Sequence, residues 1–266
     1  MEKSLPQEIT DTIVDEVAEE TEPVLRVNAL RICSLISRAW VHRSQHYLFS
    51  KIEFNEVGFQ SWRAKIKPGE DGPSYHVRHL HFTQAFEDSY LRGLIPTVSH
   101  ISSFTSLRTL HLTNVSLQHE QIHSTYGTLG STVSHLLLEG CSMDIDHLTS
   151  FLRPFTNLER LSLLDPRVLL GPKPEYPPKP LDAKGKIDLE LRINMAHGGG
   201  SFVRELSLLP VAVHTITLSE CNPPMIPPWV EGVDSGVTEI NKLFAASRET
   251  LTHFKVHRDG KFTSSS

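Results

Sequence analysis

The stretch that decides the fold is Leu107-Arg108-Thr109-Leu110-His111-Leu112. Its first apolar residue is followed by another three positions later and by a third five positions later, so that the last two flank one polar residue. This alternation predicts a short β-strand with one buried face. The same spacing occurs at Val77/Leu80/Phe82, at Val133/Leu136/Leu138 and at Leu158/Leu161/Leu163. Successive copies begin 30, 26 and 25 residues apart.

A Leu-x-x-Leu-x-Leu core with a period of about 20–29 residues resembles that of leucine-rich repeats. Weaker copies follow at Leu189–Ile193, Val213/Ile216/Leu218 and Leu251/Phe254/Val256. The segments Asp144–Phe155 and Val237–Leu251 carry apolar residues at helical spacing. We therefore expect an α/β fold, a leucine-rich-repeat-like solenoid with a curved parallel sheet, over about residues 76–260.

Two cysteines hold the same place relative to the predicted strands. Cys141 and Cys221 each follow the last strand leucine by three residues, where leucine-rich repeats commonly place Asn or Cys. The resemblance implies buried structural thiols, and the alternative is a reactive or metal-binding role. The third cysteine, Cys33, is distant from both, which favours free thiols over a disulfide framework.

Two proline-rich segments interrupt the repeats. Residues 166–188 hold six prolines, and residues 222–236 hold four together with Trp229. Both are predicted to be exposed loops, and residues 261–266 a frayed tail. Trp229 either packs on the repeats or contacts a target, since exposed aromatic side chains are enriched at binding hot spots.

The first 55 residues have a different character and predict a small helical module, joined to the repeats through residues 56–75. Ser4 and Gln7 have the spacing of a capping box, with Pro6 in the first turn. Ile9, Ile13, Val14 and Val17 then recur on one helical face. Two further apolar runs, 25–36 and 40–52, predict two more helices.

This module resembles an F-box, the helical unit that docks substrate adaptors onto cullin ubiquitin ligases. The resemblance is carried by the start Leu5-Pro6, by Cys33-Ser34-Leu35-Ile36-Ser37-Arg38-Ala39-Trp40 and by the closing Leu48-Phe49. It covers about a fifth of the chain. With the repeats, the whole chain resembles the small, divergent F-box proteins that are numerous in fungi.

The resemblance implies a substrate-recognition subunit of a cullin–RING (SCF-type) ubiquitin ligase, which performs no covalent chemistry itself. Its F-box would bind the S-phase-kinase-associated adaptor, and its repeats an unidentified target protein. The implied adaptor contacts are Leu5, Pro6, Ile9, Ile13, Leu35, Ile36 and Phe49. Trp40 is expected in the module's own core.

Candidate contacts to the target lie on the strands and in the second loop. His81 and His111 occupy equivalent strand positions between inward apolar residues, and Ser162 is expected at the same position one repeat later. These side chains should line the exposed concave face of the sheet, where ordinary solvated polarity is the alternative explanation. The candidate target contacts are therefore His81, His111 and Trp229.

Composition limits the partners. The formal net charge of −5 does not favour nucleic acid. Apolar residues make up 39% of the chain, the mean hydropathy is −0.20, and no apolar run approaches the roughly 18 residues of a membrane helix. The acidic start lacks the apolar region of a signal peptide, so we expect a cytoplasmic or nuclear protein.

Motifs of catalysis are not found in the sequence. The fifteen histidines are scattered, without His-Glu-x-x-His or Cys-x-x-Cys spacing, and there is no phosphate-binding loop or Gly-x-Ser-x-Gly elbow. We expect no enzyme activity, cofactor or metal, with a hydrolase or metalloenzyme as one alternative. The other is a binding scaffold unconnected to ubiquitin ligases, whose helical head caps the solenoid.

Overall fold

The computed structural model describes residues 5–65, 73–84, 101–168, 187–194, 206, 211–220, 245 and 249–258. They form a mixed α/β structure with helices at the amino-terminal end and short strands after residue 50. The strands are β1 (Lys51–Asn55), β2 (His79–Thr83), β3 (Thr109–Thr113), β4 (His135–Glu139), β5 (Ser142–Met143), β6 (Arg160–Leu164), β7 (Arg167–Val168), β8 (Ile187–Asn194), β9 (Val211–Glu220) and β10 (His253–Arg258).

Eight strands form one open sheet in which spatial order follows chain order, β1-β2-β3-β4-β6-β8-β9-β10. Every neighbouring pair is parallel. The strands β5 and β7 pair separately, also in parallel. Each predicted strand is confirmed, including the three weaker copies. The strand β1 was not predicted, because its Ile52 was assigned to the third helix of the head.

The helices within the described residues are α1 (Gln7–Ala18), α2 (Pro23–Ile36), α3 (Arg38–Phe49), α4 (Glu56–Lys65), α5 (Glu120–Gly127) and α6 (Ile145–Leu152), with a 3-10 turn at Pro73–His76. The helix α6 confirms the pattern predicted for 144–155. Asp144 caps it by accepting a hydrogen bond from the backbone N–H of His147 at 2.8 Å. The helix ends at Leu152, because Pro154 lies in the turn that follows.

The backbone repeats more regularly than the sequence does. The residue just before each of four strands has a carbonyl that accepts hydrogen bonds from two consecutive backbone N–H groups at the start of the neighbouring strand. The carbonyl of Arg78, for example, accepts from Arg108 and Thr109 at 2.8 and 2.9 Å. The acceptors are Ser50, Arg78, Arg108 and Ser134.

The other ends of three strands share a left-handed corner. Asn114, Gly140 and Asp165 directly follow β3, β4 and β6 and have φ of 60°, 59° and 48°. These residue types adopt left-handed backbone most readily. Each donates its N–H at 2.8 Å to a carbonyl of the next strand in the sheet: that of Glu139 at the end of β4, that of Leu164 at the end of β6, and that of Arg192 near the end of β8. Different side chains therefore build the same turn.

All four predicted apolar triplets are buried in one core beneath the sheet. Phe59 on α4 belongs to the same core, and the ring of Trp62 stacks on that of Phe104 with centroids 5.2 Å apart. The predicted boundaries therefore shift: the sheet begins at Lys51, inside the segment assigned to the head, and residues 56–65 are a core helix within the predicted junction.

Other predictions at the edges of the elements need correction or fall outside the described residues. Both ends of the predicted 166–188 loop belong to strands, because Arg167–Val168 forms β7 and Ile187 begins β8. In the predicted capping box, Gln7 was expected to reach back to the start of the helix, but its side-chain amide donates forward to Asp11 Oδ1 at 2.8 Å. Ser4, the other member of that box, lies outside the described residues. The segment 222–236, the tail 261–266 and most of the predicted helix 237–251 are outside them too.

Cys141 confirms the expectation of a buried thiol. Its side chain is fully enclosed, and Sγ donates to the carbonyl of Leu112 at 3.3 Å. Burial raises the pKa of this thiol to about 12. Cys221 lies outside the described residues.

Cys141 is therefore expected to react with iodoacetamide at least about 100-fold more slowly in the folded protein than in guanidinium chloride, because the thiolate is the nucleophile and little of it forms. Mass spectrometry of the peptide that contains Cys141 measures the rate, and the denatured sample is the control. Rapid labelling of Cys141 in the folded protein would contradict a structural role.

Candidate partner-binding surfaces

The three amino-terminal helices have a core of their own. Val14, Leu30 and Cys33 are buried, and Trp40 packs against them as predicted. This cluster is separate from the core beneath the sheet. We call helices α1–α3 the head.

A polar contact fixes α1 against α3 within the head. Arg43 donates from Nε and Nη2 to the two carboxylate oxygens of Asp15, at 2.7 and 2.8 Å. The hydroxyl of Tyr47 donates to Asp15 Oδ1 at 3.0 Å. The hydrogen bonds from Arg43 hold the pKa of Asp15 below its usual value. Since both charged groups are more than one third exposed, this pair orients the helices more than it stabilises them.

The helices α1 and α2 also expose large apolar side chains to solvent. On α1 and just before it, the apolar side chains are spaced by four residues, so they form one stripe. On α2 they cover a single broad arc, and Leu35 is the most exposed at 84%. We call this surface the head patch; it consists of Leu5, Ile9, Ile13, Val24, Leu25, Ile32, Leu35 and Ile36.

The predicted adaptor contacts fall largely on this surface. Leu5, Ile9, Ile13, Leu35 and Ile36 belong to the head patch, and Pro6 is exposed beside them. Phe49 is different, because it lies half-buried at the end of α3.

Sequence reasoning missed three members of the head patch, Val24, Leu25 and Ile32. The signal was present, since Leu25, Ile32 and Ile36 recur at intervals of seven and four residues along one helical face. A group of large apolar side chains exposed on one folded module commonly marks a contact with another macromolecule.

The head meets the sheet through α3. The imidazole of His76, in the 3-10 turn, lies edge-on to that of His42, with ring centroids 5.0 Å apart, and 6.1 Å from that of His46. Burial lowers the pKa of both His46 and His76. The head patch is on α1 and α2, so this junction leaves it uncovered.

On the exposed face of the sheet, His81 and His111 are direct neighbours, as their equivalent positions predicted. Their rings stack with centroids 3.9 Å apart and planes 5° from parallel. Thr113 Oγ1 lies 2.9 Å from Nε2 of His81 and 3.1 Å from Nε2 of His111. Glu139 Oε2 is 3.0 Å from Nε2 of His111. The pKa of His111 is lowered first by burial and then by His81.

Two details of the predicted face were wrong. Leu137, not Ser162, is the next residue after His111 in this row, since Ser162 lies one strand further on. Ser162 is also buried, with 5% of its surface exposed, and donates to Glu190 Oε2 at 3.0 Å. Trp229 lies outside the described residues.

Glu53 and Glu139 also line this face and were missed. Glu53 is the register partner of His81 on β1, and its carboxylate lies 4.0 Å from His81 Nδ1. Its place could be found only once β1 was recognised as a strand.

The comparisons with known proteins add no family. No protein-family model matches the chain, and no curated protein matches it. Within the ranges that the structure describes, no three His, Cys, Asp or Glu side chains form a group able to hold a metal ion. In those same ranges, no helix is long and apolar enough to cross a bilayer.

Proposed function

We propose that this chain is the substrate-recognition subunit of a cullin–RING (SCF-type) ubiquitin ligase. The head binds the S-phase-kinase-associated adaptor, and the domain built on the sheet binds a target protein. The observation that carries the proposal is the head patch. Eight large apolar side chains are exposed on a three-helix module that already has a core of its own. A protein partner that covers them accounts for their exposure.

The finer description of the fold belongs to the same proposal. The chain-ordered parallel strands, the repeated acceptor carbonyls and the left-handed corners support a leucine-rich-repeat solenoid. The Leu5-Pro6 start and the Cys33–Trp40 string support an F-box.

The mechanism is proximity. Two proteins held on one scaffold react at a high effective concentration, so ubiquitin transfer becomes in effect intramolecular. No catalytic residue, metal or cofactor is assigned to this chain, and its expected compartment is the cytoplasm or the nucleus.

The double substitution Leu35→Asp/Ile36→Asp is expected to weaken adaptor binding at least about 30-fold, because hot-spot side chains at a protein interface each contribute about 2 kcal/mol or more. Folding should be retained, since both side chains are exposed at 84% and 57%. Calorimetric titration with purified adaptor measures the affinity, and circular dichroism checks the fold.

Tyr75→Asp is the matched control, since Tyr75 is an exposed aromatic residue outside the head patch; it should bind the adaptor like the wild type. Absence of micromolar adaptor binding by the wild-type chain would overturn the proposal. So would unchanged affinity of the double variant.

The second candidate is a binding scaffold in which the head serves as the end cap of the repeats. The packing of α3 against the Pro73–His76 turn and β1 favours it. Deleting residues 1–50 distinguishes the two, and the deletion must stop there because β1 begins at Lys51. An aggregated remainder supports a cap, and a folded remainder supports an independent module.

A further inference from the structure

The amino-terminal edge of the sheet, next to the head, carries a group of basic side chains. Lys51, His79 and His135 begin β1, β2 and β4 in the same row of the register. Arg78 and Arg108 directly precede β2 and β3. We call these five residues the basic edge. No acidic residue occurs among the four positions that precede β1–β4, which are the acceptor residues Ser50, Arg78, Arg108 and Ser134.

The register brings these basic residues together. The carbonyl of Arg78 accepts hydrogen bonds from the backbone N–H groups of Arg108 and Thr109. The two arginines therefore hold equivalent positions just before adjacent strands, whose backbones are about 4.8 Å apart. The pKa of His79 is lowered first by burial and then by Lys51, Arg78 and His135. Arg78 also lowers the pKa of His46 on α3. Lys51 and Arg78 therefore lie close enough to His79 to disfavour its protonation, and the backbone pairing places Arg108 beside Arg78.

Little of this charge is neutralised within the described part of the chain. Lys51 pairs with Glu53 at 3.0 Å. None of the ion pairs between described residues includes Arg78 or Arg108, and both side chains are exposed. The whole chain carries a formal charge of −5, so this local excess does not reflect composition. Placing cations side by side is unfavourable unless an anion completes the site.

We propose that the basic edge binds an acidic segment of a protein partner. The inference rests on the proposed function, because the segment would belong to the target and would be held beside the head. Guanidinium groups bind carboxylates through paired hydrogen bonds, and the pair Arg78 and Arg108 offers two such groups on one rigid sheet.

A short peptide fits this surface better than nucleic acid does. The four strands that carry the basic edge span about 15 Å, which accommodates a few residues of extended chain. Nucleic acid binding draws on many phosphate contacts and on a basic field, whereas the chain as a whole is acidic.

The test uses the full chain and a short fluorescein-labelled peptide rich in glutamate, with the same peptide carrying glutamine as the control ligand. Fluorescence anisotropy should show binding of the glutamate peptide at least about tenfold tighter than that of the glutamine peptide. Raising the salt from about 0.05 M to about 0.3 M should weaken it, since exposed charges are screened.

Arg78→Glu/Arg108→Glu should lose at least about tenfold in affinity for the glutamate peptide. Arg31→Glu/Arg153→Glu makes the same change of charge at exposed arginines on α2 and after α6, and should bind like the wild type. If charge reversal unfolds the chain, Arg78→Gln/Arg108→Gln replaces it, with the same expected direction.

The inference is overturned if the glutamate peptide does not bind, if the variant at Arg78 and Arg108 binds it like the wild type, or if a short single-stranded oligonucleotide binds as tightly. Adaptor titration on the same proteins separates the two proposals. A wild-type chain that binds the adaptor but not the glutamate peptide rejects the acidic-segment site alone. A wild-type chain that binds the peptide but not the adaptor rejects the ligase role alone.

Discussion

Gly130→Ala is expected to destabilise the chain by about 3 kcal/mol or more, a larger effect than other glycine-to-alanine changes in the described residues. Gly130 is buried in the turn that follows α5. A Cβ at this position would lie 2.0 Å from the carbonyl oxygen of Pro154 and 2.4 Å from its carbonyl carbon. Both are backbone atoms, so no rotation of a side chain relieves the overlap.

The clash has a structural cause. The turn at 128–132 and the turn at 153–157 follow equivalent helices of successive repeats, and they are in direct contact at Gly130 and Pro154. Alanine would separate the two turns and open the core beneath them, where Leu129 and Phe155 are buried. Interiors packed at crystal density transmit such a displacement instead of absorbing it.

Gly127→Ala is the matched control, since it lies three residues earlier and faces the same proline. There the new methyl would meet Pro154 Cγ at 3.2 Å, a side-chain atom that can move. Gly127 is also the last residue of α5, where alanine favours the helix. Chemical denaturation should place Gly127→Ala within about 1 kcal/mol of the wild type. Equal stability of the two variants would show that these turns do not touch.

How far the sequence predicts this molecule depends on whether a feature is periodic. The strands could be located because the apolar spacing of residues such as Leu110 and Leu112 recurs, and parallel order follows from the short period. The contact between Gly130 and Pro154 could not be predicted, because it joins the turns of two successive repeats and these turns differ in sequence. Likewise, His81 and His111 were correctly placed as equivalent, whereas the burial of Ser162 depends on its surroundings.

In the head, periodicity again indicated the helices but not which face stays uncovered. Ile9 and Val14 are both apolar residues on α1, yet Ile9 is 48% exposed and Val14 is fully buried. Only the angle at which α2 and α3 pack against α1 decides between them. Resemblance to F-boxes pointed to Leu5, Ile9, Ile13, Leu35 and Ile36 as adaptor contacts, which stays a prediction. The structure shows that all five are exposed, and that Val24, Leu25 and Ile32 are exposed as well.

Leu136→Ala is expected to destabilise the chain by about 3 kcal/mol, whereas Leu137→Ala, the same change one residue later, should cost less than about 1 kcal/mol. Leu136 lies on the buried face of β4 with 1% of its surface exposed, between Leu110 and Leu161 on the neighbouring strands. Its truncation leaves a cavity that the neighbouring strands cannot close. Leu137 points to the other face, between His111 and Ser162, and is partly exposed.

The pair tests the register of the sheet, because a shift of β4 by one residue would exchange the two faces and reverse the ranking. Urea denaturation followed by tryptophan fluorescence gives both free energies of unfolding. If Leu137→Ala destabilised the chain as much as Leu136→Ala or more, the strand pairing would be contradicted. The sheet face that carries His81 and His111 and the basic edge both depend on that pairing. If Leu136→Ala is the more destabilising change, Leu137 lies on the face opposite the core. His111 and His81 are in the same row of the register as Leu137, so a partner can reach them on that face.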